Sequence, residues 1–264
     1  MDPPAADRLL RATSVLVDLD GVLYVEDEPI AGAIEAVAAL RDYGLRLRFV
    51  TNTTSRPRRD ILARLDRLGM PVPERELDTP ACLAVQHCLA AGRRRALLLM
   101  RDEVKADLAG LQEVGEGADV VVVGDLGEDF SYRVLNQAFR ELLAGAELVA
   151  LQKNRYWRTP EGLSLDVGPF VAALEYATGC DAVVVGKPAP DFFATVLAEL
   201  GVRPTDAVMV GDDVESDVGG ALRAGLAGVL VRTGKYRSEA VAASGVEPTA
   251  TVDSIADVPA LLGA

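Results

Sequence analysis

The chain has 264 residues, of which 50% are apolar, 25% charged and 5% aromatic, so it is long enough for a large buried core or two lobes. Its formal net charge of -13 argues against nucleic acid as a partner, because phosphate backbones are bound by clustered lysine and arginine. The acidic balance still permits a small anionic substrate, held by a metal ion and a few fixed donors.

The sequence shows no pattern typical of a secretory signal, a membrane span or a disulfide framework. The first residues lack the basic-then-apolar pattern of a secretory signal, and the apolar runs are far shorter than the ~18 residues that a membrane span needs. Cys82, Cys88 and Cys180 are an odd, sparse set, which predicts reduced thiols. The only histidine, His87, is predicted to be structural and excludes a histidine-rich metal site. We therefore expect a soluble cytoplasmic protein that has no membrane partner.

Short apolar runs alternate with helical patterns along the chain. The predicted strands are Ser14–Leu19, Leu45–Val50, Ala96–Met100, Val120–Val123, Leu148–Leu151, Ala182–Val185, Ala207–Val210 and Gly228–Val231. The predicted helices are Ala31–Tyr43, Pro57–Leu68, Ser131–Leu143, Val167–Thr178, Pro190–Leu200 and Val214–Ala224. This alternation predicts an α/β fold with a doubly wound parallel sheet. Runs that are apolar on both faces, such as Val120–Val123, suit strands covered by helices on each side.

Polar residues recur directly after four of these runs. In the order of the strands they are Asp18 and Asp20, Thr51 and Asn52, Gly186-Lys187-Pro188, and Gly211-Asp212-Asp213 with Asp217 one turn later. Ligands of open α/β sheets bind at the carboxyl ends of the strands, so we expect these side chains to converge. Each loop alone is more often an ordinary turn, but four such loops in this order favour a site.

The residue types indicate phosphoryl chemistry. Several carboxylates close together need a hard cation, and Mg²⁺ prefers carboxylates, waters and substrate phosphate. Lys187 supplies a point charge for a phosphoryl oxygen, while the hydroxyl of Thr51 and the amide of Asn52 can donate to the others. One carboxylate can attack phosphorus and a second can serve the leaving group and the hydrolytic water. Gly21 permits close approach of a backbone amide to the phosphate.

Nucleotide-binding loops are disfavoured as an alternative. The stretch from Gly179 to Lys187 has too many intervening residues for a P-loop, and Pro188 follows where a hydroxyl should bind Mg²⁺. The stretch from Gly228 to Lys235 fails in the same way. No Gly-x-Gly-x-x-Gly follows the first predicted strand, which argues against a dinucleotide enzyme.

The four loops resemble the four motifs of the haloacid dehalogenase superfamily. They are Asp18–Tyr24, Val50–Asn52, Gly186–Pro188 and Gly211–Asp213 with Asp217, and the Gly-Val-Leu-Tyr continuation is typical of NagD-like phosphatases. The resemblance implies a Rossmann-like core domain over residues 1–78 and 182–264 and an inserted α/β cap domain over residues 79–181. Phe130-Ser131-Tyr132, Arg155-Tyr156, Leu165–Pro169 and Leu174–Ala177 are similar to the group that holds phospholysine phosphohistidine inorganic pyrophosphate phosphatase.

The resemblance also implies a role for each motif residue. Asp18 would be the nucleophile and a metal ligand, and Asp20 the acid/base, binding the metal through its backbone carbonyl. Gly21, Thr51, Asn52 and Lys187 would hold the phosphoryl group. Asp212 would complete a Mg²⁺ site, with Asp213 and Asp217 in support. Dehalogenation is disfavoured because dehalogenases lack the second acid that Asp20 supplies.

The function expected from the resemblance is a Mg²⁺-dependent phosphatase for a small phosphorylated substrate, with phosphoramide or pyrophosphate bonds as further candidates. Arg155, Tyr156 and Trp157 are candidate specificity residues of the cap, and a surface hairpin or a homodimer contact is an equal reading of that stretch. Two rival functions remain open. One is a non-catalytic phospho-switch of the receiver type, and the other is a phosphotransferase or mutase that shares the aspartyl-phosphate.

Overall fold

A computed structural model of the chain describes residues 5–159 and 162–264. The strands are β1 Ser14–Asp18, β2 Tyr24–Val25, β3 Glu28–Pro29, β4 Arg46–Val50, β5 Leu77–Asp78, β6 Arg95–Leu99, β7 Gln112–Glu113, β8 Val120–Val123, β9 Glu147–Ala150, β10 Tyr156–Thr159, β11 Gly162–Leu165, β12 Val183–Val184, β13 Ala207–Gly211, β14 Ala227–Val231 and β15 Ala250–Val252. The α-helices are α1 Ala5–Leu10, α2 Ala33–Asp42, α3 Arg58–Arg67, α4 Pro80–Ala90, α5 Asp102–Lys105, α6 Tyr132–Leu143, α7 Gly168–Thr178, α8 Pro190–Leu200, α9 Gly220–Arg223, α10 Ser238–Ser244 and α11 Val258–Leu262.

The chain forms two compact units. The first holds the chain up to Thr51, then Leu62–Asp78 and Lys187–Ala264, and the second holds Asn52–Ile61 and Thr79–Gly186. These units depart from the predicted domain limits at two places: residues 52–61 and residues 182–186 group with the second unit instead of the first. The division into a core domain and a cap domain stays a prediction, and residues 1–4, 160 and 161 of the predicted domains lie outside the described residues.

The first unit is built on a six-stranded parallel sheet in the order β15-β14-β13-β1-β4-β5. From β1 the chain adds β4 and β5 on one side, and later adds β13, β14 and β15 on the other. The winding therefore reverses between β1 and β13, which is where an open α/β sheet leaves a crevice at the carboxyl ends of its strands. The sheet topology alone places a ligand site beside the ends of these two strands.

The central strands of this sheet are buried along their whole length. Every residue of β1, β13 and β14 is buried, and most are apolar, with valine the most frequent. Because successive side chains point to opposite faces, this pattern requires cover on both faces of the sheet. It confirms the predicted doubly wound α/β architecture.

The second unit has its own five-stranded parallel sheet in the order β12-β9-β8-β6-β7, and a separate antiparallel hairpin of β10 and β11. Its apolar core joins the buried strands to α6 and α7, with Phe130 stacked on Phe170 at a centroid distance of 3.8 Å. The sequence pattern treated β12 as one of the strands carrying the site loops. In the structure β12 pairs with β9 in the second sheet, and only two residues of the predicted run form the ladder.

Helix ends follow local chemistry in most places. Ser131 caps α6, since its hydroxyl accepts from the amide of Val134 at 3.4 Å, and α8 spans the predicted bounds and stops at left-handed Gly201. The predicted helix over residues 214–224 is instead a π-helix, Val214–Gly219, followed by α9. None of the helices in the described ranges is long and apolar enough to cross a membrane.

The cysteines and the histidine belong to no group of metal-binding side chains within the described part of the chain. Cys82, Cys88 and Cys180 are free thiols, and only Cys88 is fully buried. His87 lies on α4, with Nε2 3.0 Å from Oε2 of Glu147, which fits the structural role expected for it.

Candidate active site

Asp18 ends β1 and is 6% exposed. The chain then turns sharply, since the carbonyl of Leu19 accepts from the amides of Val22 and Leu23, and the amide of Gly21 donates to the carbonyl of Tyr24 at 2.7 Å. Asp20 lies on this turn and is partly exposed. Its charge adjoins that of Asp18 closely enough to raise the pKa of Asp18 slightly, although burial has a much larger effect. The turn therefore presents two carboxylates from one strand end.

Lys187 joins two of the predicted acidic residues. Its Nζ lies 2.5 Å from Oδ1 of Asp18 and 2.7 Å from Oδ1 of Asp217, and its side chain is 3% exposed. A buried ammonium requires such partners, because an unpaired charge away from water is strongly unfavourable. The arrangement fixes a positive charge beside Asp18.

Asp217 reaches the site because of the unusual helix that carries it. The π-helix begins at Asp213, whose Oδ1 accepts from the amides of Glu215 at 3.0 Å and Ser216 at 2.9 Å. Asp217 then folds back, so that Oδ2 accepts from the amide of Asp213 at 3.1 Å. A Cβ on Gly211 would lie 2.2 Å from Cβ of Asp217, so only glycine fits there. Asp213 supports the site as a helix cap.

Asp212 follows β13 directly and is 1% exposed. Its Oδ2 accepts from the backbone amide of Lys235 at 2.6 Å. Its Oδ1 is buried and has no hydrogen-bond partner among the described residues. A buried carboxylate oxygen without a donor is unfavourable, and it is the atom that a bound cation would satisfy.

Electrostatics in the cluster are dominated by burial. Burial, and after it the carboxylates of Asp18 and Asp217, raises the pKa of Asp212 to about 7. Burial also raises the pKa of Asp217 to about 6, although Lys187 opposes the shift. Burial lowers the pKa of Lys187, but the attraction of Asp18 and Asp217 outweighs it, so the net shift is upward. Lys187 therefore stays charged, but the positive charge near the buried carboxylates is not sufficient to offset their negative charge.

These residues fit a divalent cation. Asp18, Asp212 and Asp217 each offer a carboxylate oxygen, and these oxygens lie within 4.8 Å of one another. Oδ1 of Asp217, like Oδ1 of Asp212, is buried without a hydrogen-bond partner among the described residues, but it lies 2.7 Å from Nζ of Lys187 in an ion pair, and Oδ2 accepts from the amide of Asp213. An all-oxygen set with excess negative charge suits Mg²⁺. The geometry makes Asp18 and Asp212 the better placed ligands.

The predicted phosphate-binding residues are divided between the two units. Thr51 directly follows β4 in the first unit and is 2% exposed. Its amide donates to the carbonyl of Asp78 at 3.3 Å. Asn52, the next residue, groups with the second unit. The amide of Gly21 donates to the carbonyl of Tyr24. Residue 21 has a φ of 86° and lies close to the carboxylate of Asp212, and both features require glycine. A phosphate-binding role for Gly21 stays a prediction.

The candidate specificity residues belong to the second unit. Tyr156 and Trp157 lie on β10 with 56% and 53% of their side chains exposed, and Arg155 precedes them and is also exposed. An exposed hairpin with aromatic side chains agrees with either of the two readings of this stretch, so specificity stays a prediction.

One segment of the site was missed by the sequence analysis. Thr233, Gly234 and Lys235 follow β14, and their stretch was considered only as a failed P-loop. Thr233 Oγ1 donates to the carbonyl of Gly21 at 2.5 Å, Gly234 packs on Gly21, and the amide of Lys235 binds Asp212. The strand-end rule applied to the other four loops would have found it, since β14 lies next to β13.

Two family models match separate parts of the chain. A model described as haloacid dehalogenase-like hydrolase matches residues 15–113, and one described as HAD-hydrolase-like matches residues 184–258. Human haloacid dehalogenase-like hydrolase domain-containing protein 2 is 47% identical over 234 residues, which cover 89% of this chain and 88% of that protein. Human phospholysine phosphohistidine inorganic pyrophosphate phosphatase is 41% identical over 265 residues, covering 98% and 97%.

Solved structures agree with these relatives. The 4-nitrophenylphosphatase from Thermotoga maritima superposes with a TM-score of 0.89 at 27% identity, covering 97% of this chain and 99% of that chain. NagD from E. coli superposes with a TM-score of 0.84 at 24% identity, covering 93% and 98%, and supports the fold alone. The similarity extends over nearly the whole chain in both cases.

Proposed function

The chain belongs to the haloacid dehalogenase-like hydrolases, in their NagD-like branch, and is a phosphatase of that family, and from this premise we propose its chemistry. We propose that it hydrolyses a small phosphorylated substrate in a Mg²⁺-dependent reaction that passes through an aspartyl-phosphate on Asp18. The observation that carries the proposal is the contact of 2.5 Å between Asp18 and buried Lys187, beside an Asp212 oxygen that lacks a donor.

The first step forms a bond between Asp18 and phosphorus. A carboxylate oxygen of Asp18 attacks phosphorus, the bond to the leaving oxygen breaks, and Asp20 donates its proton to that oxygen. Lys187 places its ammonium beside the attacking group, where it offsets charge on the transferring phosphoryl oxygens. Thr51 and Asn52 are proposed to donate to the remaining phosphoryl oxygens. Positioning and electrostatics supply most of the catalysis in such a reaction.

The second step returns the enzyme to its starting state. Asp20, now ionised, accepts a proton from water as the water oxygen attacks phosphorus. The bond between phosphorus and the Asp18 oxygen breaks, inorganic phosphate leaves, and Asp20 is again protonated. Asp20 is suited to this exchange because it is partly exposed on the turn, whereas Asp18 is buried.

Mg²⁺ would be held by a carboxylate oxygen of Asp18, by Oδ1 of Asp212 and by the backbone carbonyl of Asp20. When bound it supplies positive charge to the phosphoryl group. Asp213 and Asp217 would act indirectly, since Asp213 caps the π-helix and Asp217 orients Lys187.

The substrate class is proposed from chemistry and relatives together. We propose phosphomonoesters as the main substrates, and the name of one human relative includes phospholysine, phosphohistidine and inorganic pyrophosphate. Phosphoramide and pyrophosphate bonds are therefore secondary candidates. Arg155, Tyr156 and Trp157 are proposed to contact the non-phosphate part of the substrate, within a cap domain. A cytoplasmic location and a homodimer remain predictions.

Hydrolysis of p-nitrophenyl phosphate tests the proposal. We expect Mg²⁺-dependent release of phosphate, loss with EDTA, and a fall in kcat of about 10⁴-fold or more in Asp18→Asn, because that variant lacks the nucleophile. Asp20→Asn should be slower by about 10² to 10⁴-fold and should accumulate aspartyl-phosphate. Asp253→Asn, at a carboxylate that is 83% exposed and paired with Arg232, is the matched control.

The same assay separates the rival functions. Turnover by Asp18→Asn at the unaltered rate would exclude the mechanism. A stable aspartyl-phosphate on the unaltered protein, without release of phosphate, would indicate a phospho-switch. Transfer of phosphate to an added sugar in preference to water would indicate a phosphotransferase.

A further inference from the structure

The loop over residues 232–237, here called the β14 loop, touches the site through two hydrogen bonds. Thr233 Oγ1 donates to the carbonyl of Gly21 at 2.5 Å, which ties the loop to the turn after β1. The backbone amide of Lys235 donates to Oδ2 of Asp212 at 2.6 Å. The loop therefore bridges the two segments that carry Asp18 and Asp212.

Two glycines enclose the carboxylate of Asp212. A Cβ on Gly234 would lie 2.0 Å from Oδ2 of Asp212 and 2.5 Å from Cα of Gly21. A Cβ on Gly21 would lie 1.9 Å from the same oxygen and 3.0 Å from Cα of Gly234. Both glycines have positive φ, 58° and 86°. The carboxylate thus occupies a slot that admits no side chain on either side.

The two oxygens of Asp212 have different surroundings as a result. Oδ2 is fixed by the amide of Lys235 and enclosed by the glycines, while Oδ1 is buried without a partner among the residues described. Fixing one oxygen selects the rotamer of the carboxylate and so sets the direction of the other. Partners of this kind orient metal ligands elsewhere.

We propose that the β14 loop is a positioning element for Mg²⁺: Thr233 and Gly234 hold the amide of Lys235 on Oδ2 of Asp212, so that Oδ1 is presented to the cation. The inference rests on the proposed function only in taking Mg²⁺ as the ligand. The contribution of Lys235 is its backbone amide. The side chain of Lys235 carries a positive charge that interacts with the carboxylates of Asp18 and Asp212. This charge opposes the binding of Mg²⁺ to the same carboxylates.

Mg²⁺ titration of the substrate-free protein by calorimetry tests this directly. Gly234→Ala should weaken Mg²⁺ binding by roughly tenfold or more, the usual effect of losing a partner of a metal ligand. Thr233→Val should weaken it severalfold, and Thr233→Ser, which keeps the hydroxyl, should restore it. Lys235→Ala keeps the amide and removes a positive charge, so its Mg²⁺ affinity should equal or exceed that of the unaltered protein.

Gly245→Ala is the matched control for backbone strain. Gly245 has a φ of 66°, close to that of Gly234, but no atom lies within 4 Å of its added Cβ. Thermal unfolding without Mg²⁺ should show a loss from backbone strain in both alanine variants and a larger loss in Gly234→Ala, whose added Cβ also meets Gly21, while only Gly234→Ala loses Mg²⁺ affinity.

Three results would overturn the inference. Unaltered Mg²⁺ affinity in Gly234→Ala and Thr233→Val, or an equal loss in Gly245→Ala, would remove the β14 loop from metal positioning and leave the proposed function intact. Absence of Mg²⁺ binding to the unaltered protein would overturn both proposals. Tight Mg²⁺ binding that follows the expected series, without hydrolysis of p-nitrophenyl phosphate, would support the inference and count against the proposed function.

Discussion

At the scale of single residues, Asp212 combines a functional position with an electrostatic cost. Its carboxyl has an ordinary pKa of 3.8, and burial with the neighbouring carboxylates raises the pKa to about 7 in the folded protein. A group with a raised pKa stabilises the folded state fully below its unfolded pKa and loses that contribution as pH rises through the folded pKa. Between pH 4 and 7, Asp212 therefore lowers the free energy of unfolding as the pH rises.

We expect Asp212→Asn to be inactive yet more stable than the unaltered protein in EDTA at pH 8. The amide carries no charge, so the variant avoids a loss of up to about 1.4 kcal/mol per pH unit in the titration range. Urea unfolding at pH 5 and pH 8 measures the effect as a smaller pH dependence in the variant. Saturating Mg²⁺ should reverse the order of stability, because Mg²⁺ stabilises only the protein that binds it.

Equal pH dependence in the two proteins would contradict this account of Asp212. Asp206→Asn is a suitable control, since Arg203 and not burial is the main influence on Asp206 and lowers its pKa. Asp206 therefore loses its stabilising contribution as the pH falls, which is the opposite sign.

Most residues of the cluster could be predicted from their place in the sequence. Asp18 ends one buried apolar run, Asp212 follows another after Gly211, and Asp217 lies one turn later, so residue type and position both indicate the site. Thr233 and Lys235 could not be predicted by residue type. Lys235 binds Asp212 through its backbone amide, which every residue except proline possesses.

At the scale of elements, the edge of the first sheet depends on a buried ion pair. Arg48 on β4 donates to Asp78 on β5, from Nε to Oδ2 at 2.8 Å and from a terminal nitrogen to Oδ1 at 2.6 Å. Arg48 also pairs with Glu199 of α8. Both Arg48 and Asp78 are buried, so the bidentate pair connects a two-residue strand to its neighbour where few ladder bonds exist.

Arg48→Met should destabilise the protein by about 3–5 kcal/mol, because it leaves the buried Asp78 carboxylate without its guanidinium. The double variant Arg48→Met/Asp78→Leu should recover most of that loss, since replacing both partners by apolar groups removes the buried carboxylate charge. Urea unfolding followed by circular dichroism measures both changes.

The control for this pair is Arg203→Met, which removes a similar bidentate contact to Asp206 at a side chain that is 80% exposed. Little change is expected there. If the double variant were no more stable than Arg48→Met, loss of packing and not the loss of the guanidinium from Asp78 would account for the destabilisation.

Elements with a long apolar run could be predicted well, and short ones could not. Val120–Val123 and Pro190–Leu200 have the predicted bounds, since their burial or capping residues mark both ends. β5 and β12 each contain two residues, too few for a periodic pattern. The π-helix was predicted as α-helix, because the two differ in hydrogen bonding and not in residue types.

At the scale of the whole molecule, alternation of strands and helices predicts parallel sheets but not their number. The strands of both sheets appear in the sequence as similar short apolar runs. Which run joins which sheet depends on strand pairing between residues that are far apart in the sequence. Lys187 shows the consequence. The run before it pairs in the second sheet, whereas Lys187 itself belongs to the first unit and its side chain contacts Asp18 there.

The net charge of -13 predicts a dependence of stability on ionic strength. Like charges repel more strongly in the compact state than in the extended chain, and salt screens them, with a Debye length of about 30 Å at 0.01 M and about 10 Å at 0.1 M. We expect Tm, measured in EDTA at pH 8, to rise by about 2–4 °C between these NaCl concentrations, which corresponds to roughly 1 kcal/mol.

Choline chloride separates screening from binding of Na⁺ to the acidic cluster. Both salts should raise Tm equally if repulsion among the many exposed carboxylates is responsible, and the rise should vanish near the isoelectric point, where net repulsion is lost. A rise with NaCl alone would assign the effect to a cation at Asp18 and Asp212. A Tm that fell with both salts would mean that attractive pairs near the surface, such as Arg232 with Asp253, outweigh the repulsion, because buried pairs such as Lys187 with Asp18 are screened much less.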